Sequence, residues 1–195
     1  MIEGVEIRTH PMDTVELDIL ARRIVCSPVR LREVVVRPPD FARVLTHPRA
    51  THELLSPLHL RRLANVVGAL TGETISLRRR PVFAGSYRYP EAREISSLLT
   101  YARADLAAVH PPLTAVGLSG LFALMVHPYA DGNGRLCRTL WLHGLLRHGC
   151  TPTKAVTVVD MFYLPGPDSV LGVIHAAQCG ELDDFICRWH SACQS

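Results

Sequence analysis

The strongest constraint in this chain is a polar, glycine-broken stretch, HPYADGNGRLCR from His127 to Arg138, set between two apolar runs. Leu113 to Val126 precedes it and Leu136 to Leu146 follows it. Both flanks have the length and residue types of helices, and both are too apolar to lie on a surface. Putting a histidine, an acid and two arginines between two buried helices costs folding energy unless those groups are paired or bind something. Packing gives no reason for that set, so the stretch points to a ligand.

The spacing says what kind. Gly132 and Gly134 lack Cβ, which predicts a sharp turn whose N–H groups can face one point. Asn133 or a neighbour starts the second helix, and the first N–H groups of a helix have no internal partner, so an anion cradle forms there. Arg135 and Arg138 are three apart on that helix, expected on one side, each with a planar fork of donors suited to phosphate oxygens. Asp131 would repel an anion beside it unless a cation such as Mg²⁺ bridges them, which makes it the candidate metal ligand. The set as a whole implies a polyphosphate, most simply a nucleotide.

His127 falls at the C-terminal end of the first helix. A reference pKa of about 6.5 makes it the candidate proton acceptor, and the negative end of the helix is expected to favour the imidazolium. Pro128 takes the chain out of helix, and Tyr129 is expected to anchor the loop in the core. For His127 taken alone, a core histidine beside an ordinary turn is the plain alternative.

Around this centre the chain reads as helical. Helices are expected from Asp13 or Thr14 to Val25, from Ser56-Pro57 to about Leu70, from Pro90-Glu91 to Val109, over 113–126, 133–147, 153–164 and 168–177, and from Glu181 to Cys193. Residues 31–39 are ambiguous between strand and loop, and a short helix is expected at 40–45. Residues 73–90 are irregular or briefly extended, with a turn at Ala84-Gly85-Ser86. The expected class is all-α, with a short extended or β-hairpin segment near the site. The expected organisation is an N-terminal helical extension, 1–80, packed on a core domain, 81–195.

Composition narrows the partners. The longest apolar run, Leu113 to Val126, falls short of the roughly 18 residues a membrane span needs. The start, MIEGVEIRTHPMD, carries acid before any apolar run and is not expected to be a signal peptide. Net charge is +3, and the one dense basic cluster is Arg78, Arg79 and Arg80, read as a solvated turn ahead of a phosphate or nucleic-acid contact. Six cysteines without a CxxC spacing read mostly as buried thiols, consistent with a reducing, cytoplasmic setting or delivery into a host cytosol. His143 and His148 do not share a helical face well, so packing or surface placement is expected for them ahead of a metal site. Trp141 suits a core or a homodimer face equally well.

The motif HPYADGNGRLCR resembles the signature of the Fic family, HPFxDGNGRxxR. AGSYR (Ala84 to Arg88) resembles the segment upstream of the Fic core, and GELDDFICRW resembles the ending of many members, so the resemblance covers about residues 84–190. It implies a Fic-type helical bundle and a protein adenylyltransferase that moves AMP from ATP to a Tyr, Thr or Ser hydroxyl. By the motif His127 is the general base, Asp131 holds Mg²⁺, Gly132, Asn133 and Gly134 form the anion hole, and Arg135 and Arg138 bind the β- and γ-phosphates.

The chain departs from that pattern in two places. A full β-hairpin flap has no room after Arg88, although residues 74–83 could serve from the other side. No glutamate matches the inhibitory [S/T]xxxE[G/N] pattern, so restraint comes from a separate antitoxin-like protein or is missing. The partner implied is a hydroxyl-bearing target protein; neither a membrane nor nucleic acid is expected. Alternatives are a Doc-like protein kinase, whose members usually carry Lys at the place of Gly134, and a non-catalytic binding module. Transfer of UMP, GMP or phosphocholine also fits the phosphate-reading motif.

Overall fold

A computed structural model describes residues 51–85, 87–163 and 180–194, together with Leu20, Gly172 and Ile174. The helices expected at 13–25 and 40–45, the ambiguous stretch 31–39, and the turn and helix expected at 166–177 lie outside the described residues. The exceptions are Leu20, which is helical and buried, and the helical Gly172 and Ile174.

Six α-helices are complete among the described residues: α1 Pro57–Thr71, α2 Ile95–Ala108, α3 Pro112–Val126, α4 Asn133–Arg147, α5 Pro152–Tyr163 and α6 Asp183–Gln194. The described chain is thus mostly helical, as the all-α expectation had it. Two short strands, β1 Phe83–Ala84 and β2 Tyr87–Arg88, pair antiparallel with Phe83 opposite Arg88 and Ala84 opposite Tyr87. Their turn includes Gly85 at φ 60°, the left-handed conformation that glycine adopts without strain.

Local chemistry accounts for the helix boundaries. Ser56 Oγ accepts from His59 N–H at 3.3 Å with Pro57 in the first turn, and Gly72 at φ 69° closes α1. The helix expected from Pro90 is divided: Ala92–Glu94 form a 3₁₀ turn, with Glu91 N–H donating to the Glu94 carboxylate at 2.8 Å, before α2 begins at Ile95. In α5 the β-branched Val156, Val158 and Val159 are helical because they bury against the core, which outweighs their strand preference.

α3 is the centre. It packs on α2, α4 and α6, while α4 carries α1 and α5 on its other sides. Residues 51–71, assigned by the sequence to the N-terminal extension, share this one hydrophobic core through Leu54, Leu55, Leu60 and Leu63. Trp141 belongs to that core. Its Nε1–H donates to the Gly117 carbonyl at 2.8 Å, and its ring lies among Phe162, Phe185 and Trp189. Trp189 does the same with the Leu113 carbonyl at 2.8 Å. Of the described cysteines Cys137 and Cys193 are buried, Cys150 is half-buried and Cys187 is exposed. No helix among the described residues is long and apolar enough to cross a membrane.

Glycines let α3 and α4 come this close. A Cβ at Gly120 would stand 2.3 Å from Trp141 Nε1, and one at Gly144 would stand 2.5 Å from Val116 Cγ1. Alanine gains about 1 kcal/mol of helix propensity over glycine, against roughly 1–3 kcal/mol for overpacking. Gly120→Ala and Gly144→Ala are therefore expected to lower the urea midpoint. A raised midpoint in both would show that the helices are not in contact there.

Candidate functional site

The loop between α3 and α4 is held from outside by residues 76–78. Arg78 N–H donates to the Pro128 carbonyl and Ala130 N–H to the Ser76 carbonyl, each at 3.0 Å, so that Leu77 lies opposite Tyr129. Tyr129 is buried as expected, and burial pushes its phenol up to about 12. Asn133, only 2% exposed, fixes Tyr129 from the other side: its Oδ1 accepts from Tyr129 N–H at 2.9 Å and its Nδ2 donates to the Tyr129 carbonyl at 2.8 Å. The Asn133 side chain is thus committed to the loop, leaving its backbone N–H for a ligand.

Arg78 is not a solvated turn residue. It is 4% exposed, and its guanidinium answers the carbonyls that end α3: Nε donates to His127 O at 2.5 Å, and Nη2 to Val126 O at 3.1 Å and to Pro90 O. Burial lowers its pKa, with Glu91 opposing. Arg79 and Arg80 remain exposed, so the triplet divides into one structural residue and two surface ones.

His127 caps α3 in the left-handed conformation, φ 50° and ψ 59°, the one described non-glycine residue with positive φ. Its ring stacks on Tyr89, centroids 3.9 Å apart, and Tyr89 in turn meets the edge of Tyr87 at 4.8 Å. Nδ1 is enclosed with no partner at full hydrogen-bond geometry, which leaves Nε2 as the ring nitrogen open to a ligand. The imidazolium expectation is overturned here. Burial takes the pKa down from 6.5 to about 4; the Leu124 carbonyl raises it, Arg78 lowers it further and Asp131 raises it. Desolvation outweighs the helix end because the ring is packed between an aromatic face and the last turn of α3.

Gly132 begins α4 at φ 81°, as its lack of Cβ allows; an added Cβ would also meet Ile75 Cδ1 at 3.0 Å. Gly134 lies inside the first turn without positive φ, so the sharp corner belongs to Gly132 alone. The helix ladder starts with Leu136 N–H to Gly132 O at 2.8 Å, so the N–H groups of Asn133, Gly134 and Arg135 have no carbonyl below them. Asp131 has its side chain 81% exposed beside them; Oδ1 accepts from Gly132 N–H at 2.6 Å and Oδ2 faces Arg135 Nη2 at 3.3 Å.

The two arginines, three apart and so on one side of α4, differ in burial. Arg135 pairs with Glu73 at 2.8 Å as well as with Asp131. Arg138 is buried, 5% exposed. Fit to a divalent cation rests on Asp131, an exposed hard carboxylate beside orphan N–H groups. Among the described residues no three His, Cys, Asp or Glu side chains converge, so Mg²⁺ here would take its other ligands from phosphate and water.

Glu73, Arg78 and Tyr89 went unseen as site residues in the sequence. Only Tyr89 carried a signal, following the AGSYR segment directly. No family model matches the chain, and no curated protein matches it.

Two outcomes follow. The His127 ring, followed by NMR and assigned with His127→Gln, is expected to titrate near pH 4. Since the unfolded chain protonates near 6.5, this group's share of stability is full above that pH and is lost as pH falls toward 4; an ordinary titration at 6.5 would contradict its burial. Glu73→Gln releases Arg135, and tripolyphosphate should then bind about 2–5-fold tighter by calorimetry, the size of a partly exposed ion pair; weaker binding would mean Glu73 orients Arg135 for the anion.

Proposed function

We propose that this chain is a Fic-type protein adenylyltransferase, with a Fic-type helical bundle, that transfers AMP from ATP to a protein hydroxyl. The observation that carries the reading is the corner between α3 and α4. Three unpaired N–H groups, an exposed carboxylate and an arginine lie on one side of a loop whose other end holds a neutral imidazole. The resemblance of HPYADGNGRLCR to the Fic signature supplies the reaction and the choice of nucleotide.

In this reading triphosphate oxygens accept from the N–H groups of Asn133, Gly134 and Arg135 and from the Arg135 guanidinium once it shares or leaves Glu73. Arg138, three residues on and on the same side of α4, adds positive charge for the phosphates. Asp131 would hold Mg²⁺, which when bound neutralises phosphate charge. With its Nδ1 enclosed, His127 offers Nε2 to the target hydroxyl. The hydroxyl oxygen bonds to the α-phosphorus, the bond from that phosphorus to the oxygen bridging to the β-phosphate breaks, pyrophosphate leaves, and the hydroxyl proton passes to Nε2. The strongly lowered pKa makes His127 a weak base, so positioning and charge neutralisation carry most of the rate.

A second reading has one observation in its favour. The Arg135–Glu73 and Arg135–Asp131 pairs close the mouth of the cradle with the chain's own carboxylates, as a purely structural corner would.

The deciding experiment incubates the full chain with a cell lysate, Mg²⁺ and either α- or γ-labelled ATP. The expected result is α-label on a protein, falling about 10²–10⁴-fold in His127→Ala. Label from the γ position alone would make it a Doc-like kinase. No label from either, with wild type matching His127→Ala, would leave a binding module.

A further inference from the structure

Beside the loop, on a face that does not include His127, Asp131, Gly132, Arg135 or Arg138, lies an open groove of about 1130 Å³. Its floor is apolar and belongs to the core: Leu60 from α1, Ile95 and Leu99 from α2, and Tyr129 from the loop. Its border carries Arg61, Arg79, Arg80 and Arg93, all exposed. Among the described residues none of these four side chains has a hydrogen-bond or ion-pair partner, and no acid lines the groove. The described acids that flank the lining residues in sequence are engaged elsewhere: Glu91 with Arg88, Glu94 with the Glu91 backbone, and Glu73 and Asp131 with Arg135. Two large apolar side chains, Leu58 and Leu77, stand 44% and 59% exposed on the same border.

The backbone there is also open. Because Arg78 N–H and Ser76 O take the bonds to the loop, Leu77 and Tyr129 form a non-hydrogen-bonded pair, and the N–H and C=O of Leu77 point away from the loop without a partner among the described residues. An edge of this kind accepts another chain in extended conformation. From these features together we infer that the groove is the docking site for an extended, acidic segment of a partner protein, with apolar side chains alternating with its carboxylates.

Each feature selects against another class. Four guanidinium groups without a partner among the described residues, and no described acid in the lining, call for an anionic occupant. The apolar floor and the two exposed leucines call for alternating apolar groups, and the open edge calls for a polypeptide backbone. Single-stranded nucleic acid would use aromatic faces for stacking, and the one aromatic ring among the described lining residues, Tyr129, is buried.

The inference does not depend on nucleotide transfer, and its test reads no activity. Fluorescein-labelled peptides about eight residues long, spanning the groove in extended form, are titrated into the full chain by anisotropy. One alternates glutamate with valine, one glutamine with valine and one lysine with valine; a single-stranded oligonucleotide is the fourth probe. The glutamate peptide should bind with micromolar affinity, weaken with salt and outbind the others by about tenfold or more. The triple variant R79E, R80E and R93E should abolish that preference, and Leu77→Asp should weaken binding, whereas Arg62→Glu, outside the lining, should change little. Equal binding of the glutamine peptide, tighter binding of the oligonucleotide, or no binding of any probe to the wild-type chain would overturn the inference, whether or not the variants fold.

Discussion

A single buried guanidinium holds the architecture of the site. The last carbonyls of any helix lack internal partners, and α3 ends among buried residues, Val126 and Pro128. Arg78 supplies the donors, spanning Val126, His127 and Pro90 with one planar group. Three separate pieces of chain are thereby fixed to each other: the extended residues 76–78, the end of α3, and the turn after β2. The last of these brings Tyr89 over the His127 ring. An ammonium could not take its place, because its three donors radiate from one atom and cannot reach carbonyls spread along a fork.

The charges of the loop are set by the same enclosure. Arg135 faces two carboxylates, Glu73 and Asp131, so the mouth of the anion cradle is net negative before any ligand arrives. Beside it, Arg138 is buried, and His127 is kept neutral by burial. An anion therefore gains most by replacing the carboxylates around Arg135, and a cation at Asp131 would lower the cost of that exchange. In the proposed reaction, nucleotide binding and the opening of the Glu73 contact are the same event.

Much of the fold could be read from the chain alone, for physical reasons. Apolar spacing at Leu60, Leu63, Val67 and Leu70, or at Phe185 and Trp189, reports which face is buried whatever lies opposite, and Ser56, Gly72 and Gly132 mark ends by local chemistry. The loop stood out because a histidine, an acid and two arginines between two apolar helices are not chosen for apolar packing. What the sequence could not carry was long-range. Arg78, Arg79 and Arg80 are alike until residues 126–128 fold against the first of them. Glu73 meets Arg135 across 62 positions of chain, with no motif to announce it. The sign of the His127 shift depends on Tyr89 and the loop, whereas the helix end by itself argued the opposite.

The conformation of His127 ties these strands together. A left-handed backbone at a residue with a Cβ costs about 1–2 kcal/mol relative to the helix it leaves, and Asn or Gly would relieve it. Such a residue persists only where its surroundings over-determine it. Here they do: its N–H is held by Ala123 O at 3.0 Å, its carbonyl by Arg78, its ring by Tyr89, and Pro128 bars any continuation of the helix. A cap made of glycine would end α3 with less strain and no ring. In the proposed reaction that strain has a use, since it sets the imidazole at the corner between α3 and α4 with Nδ1 enclosed.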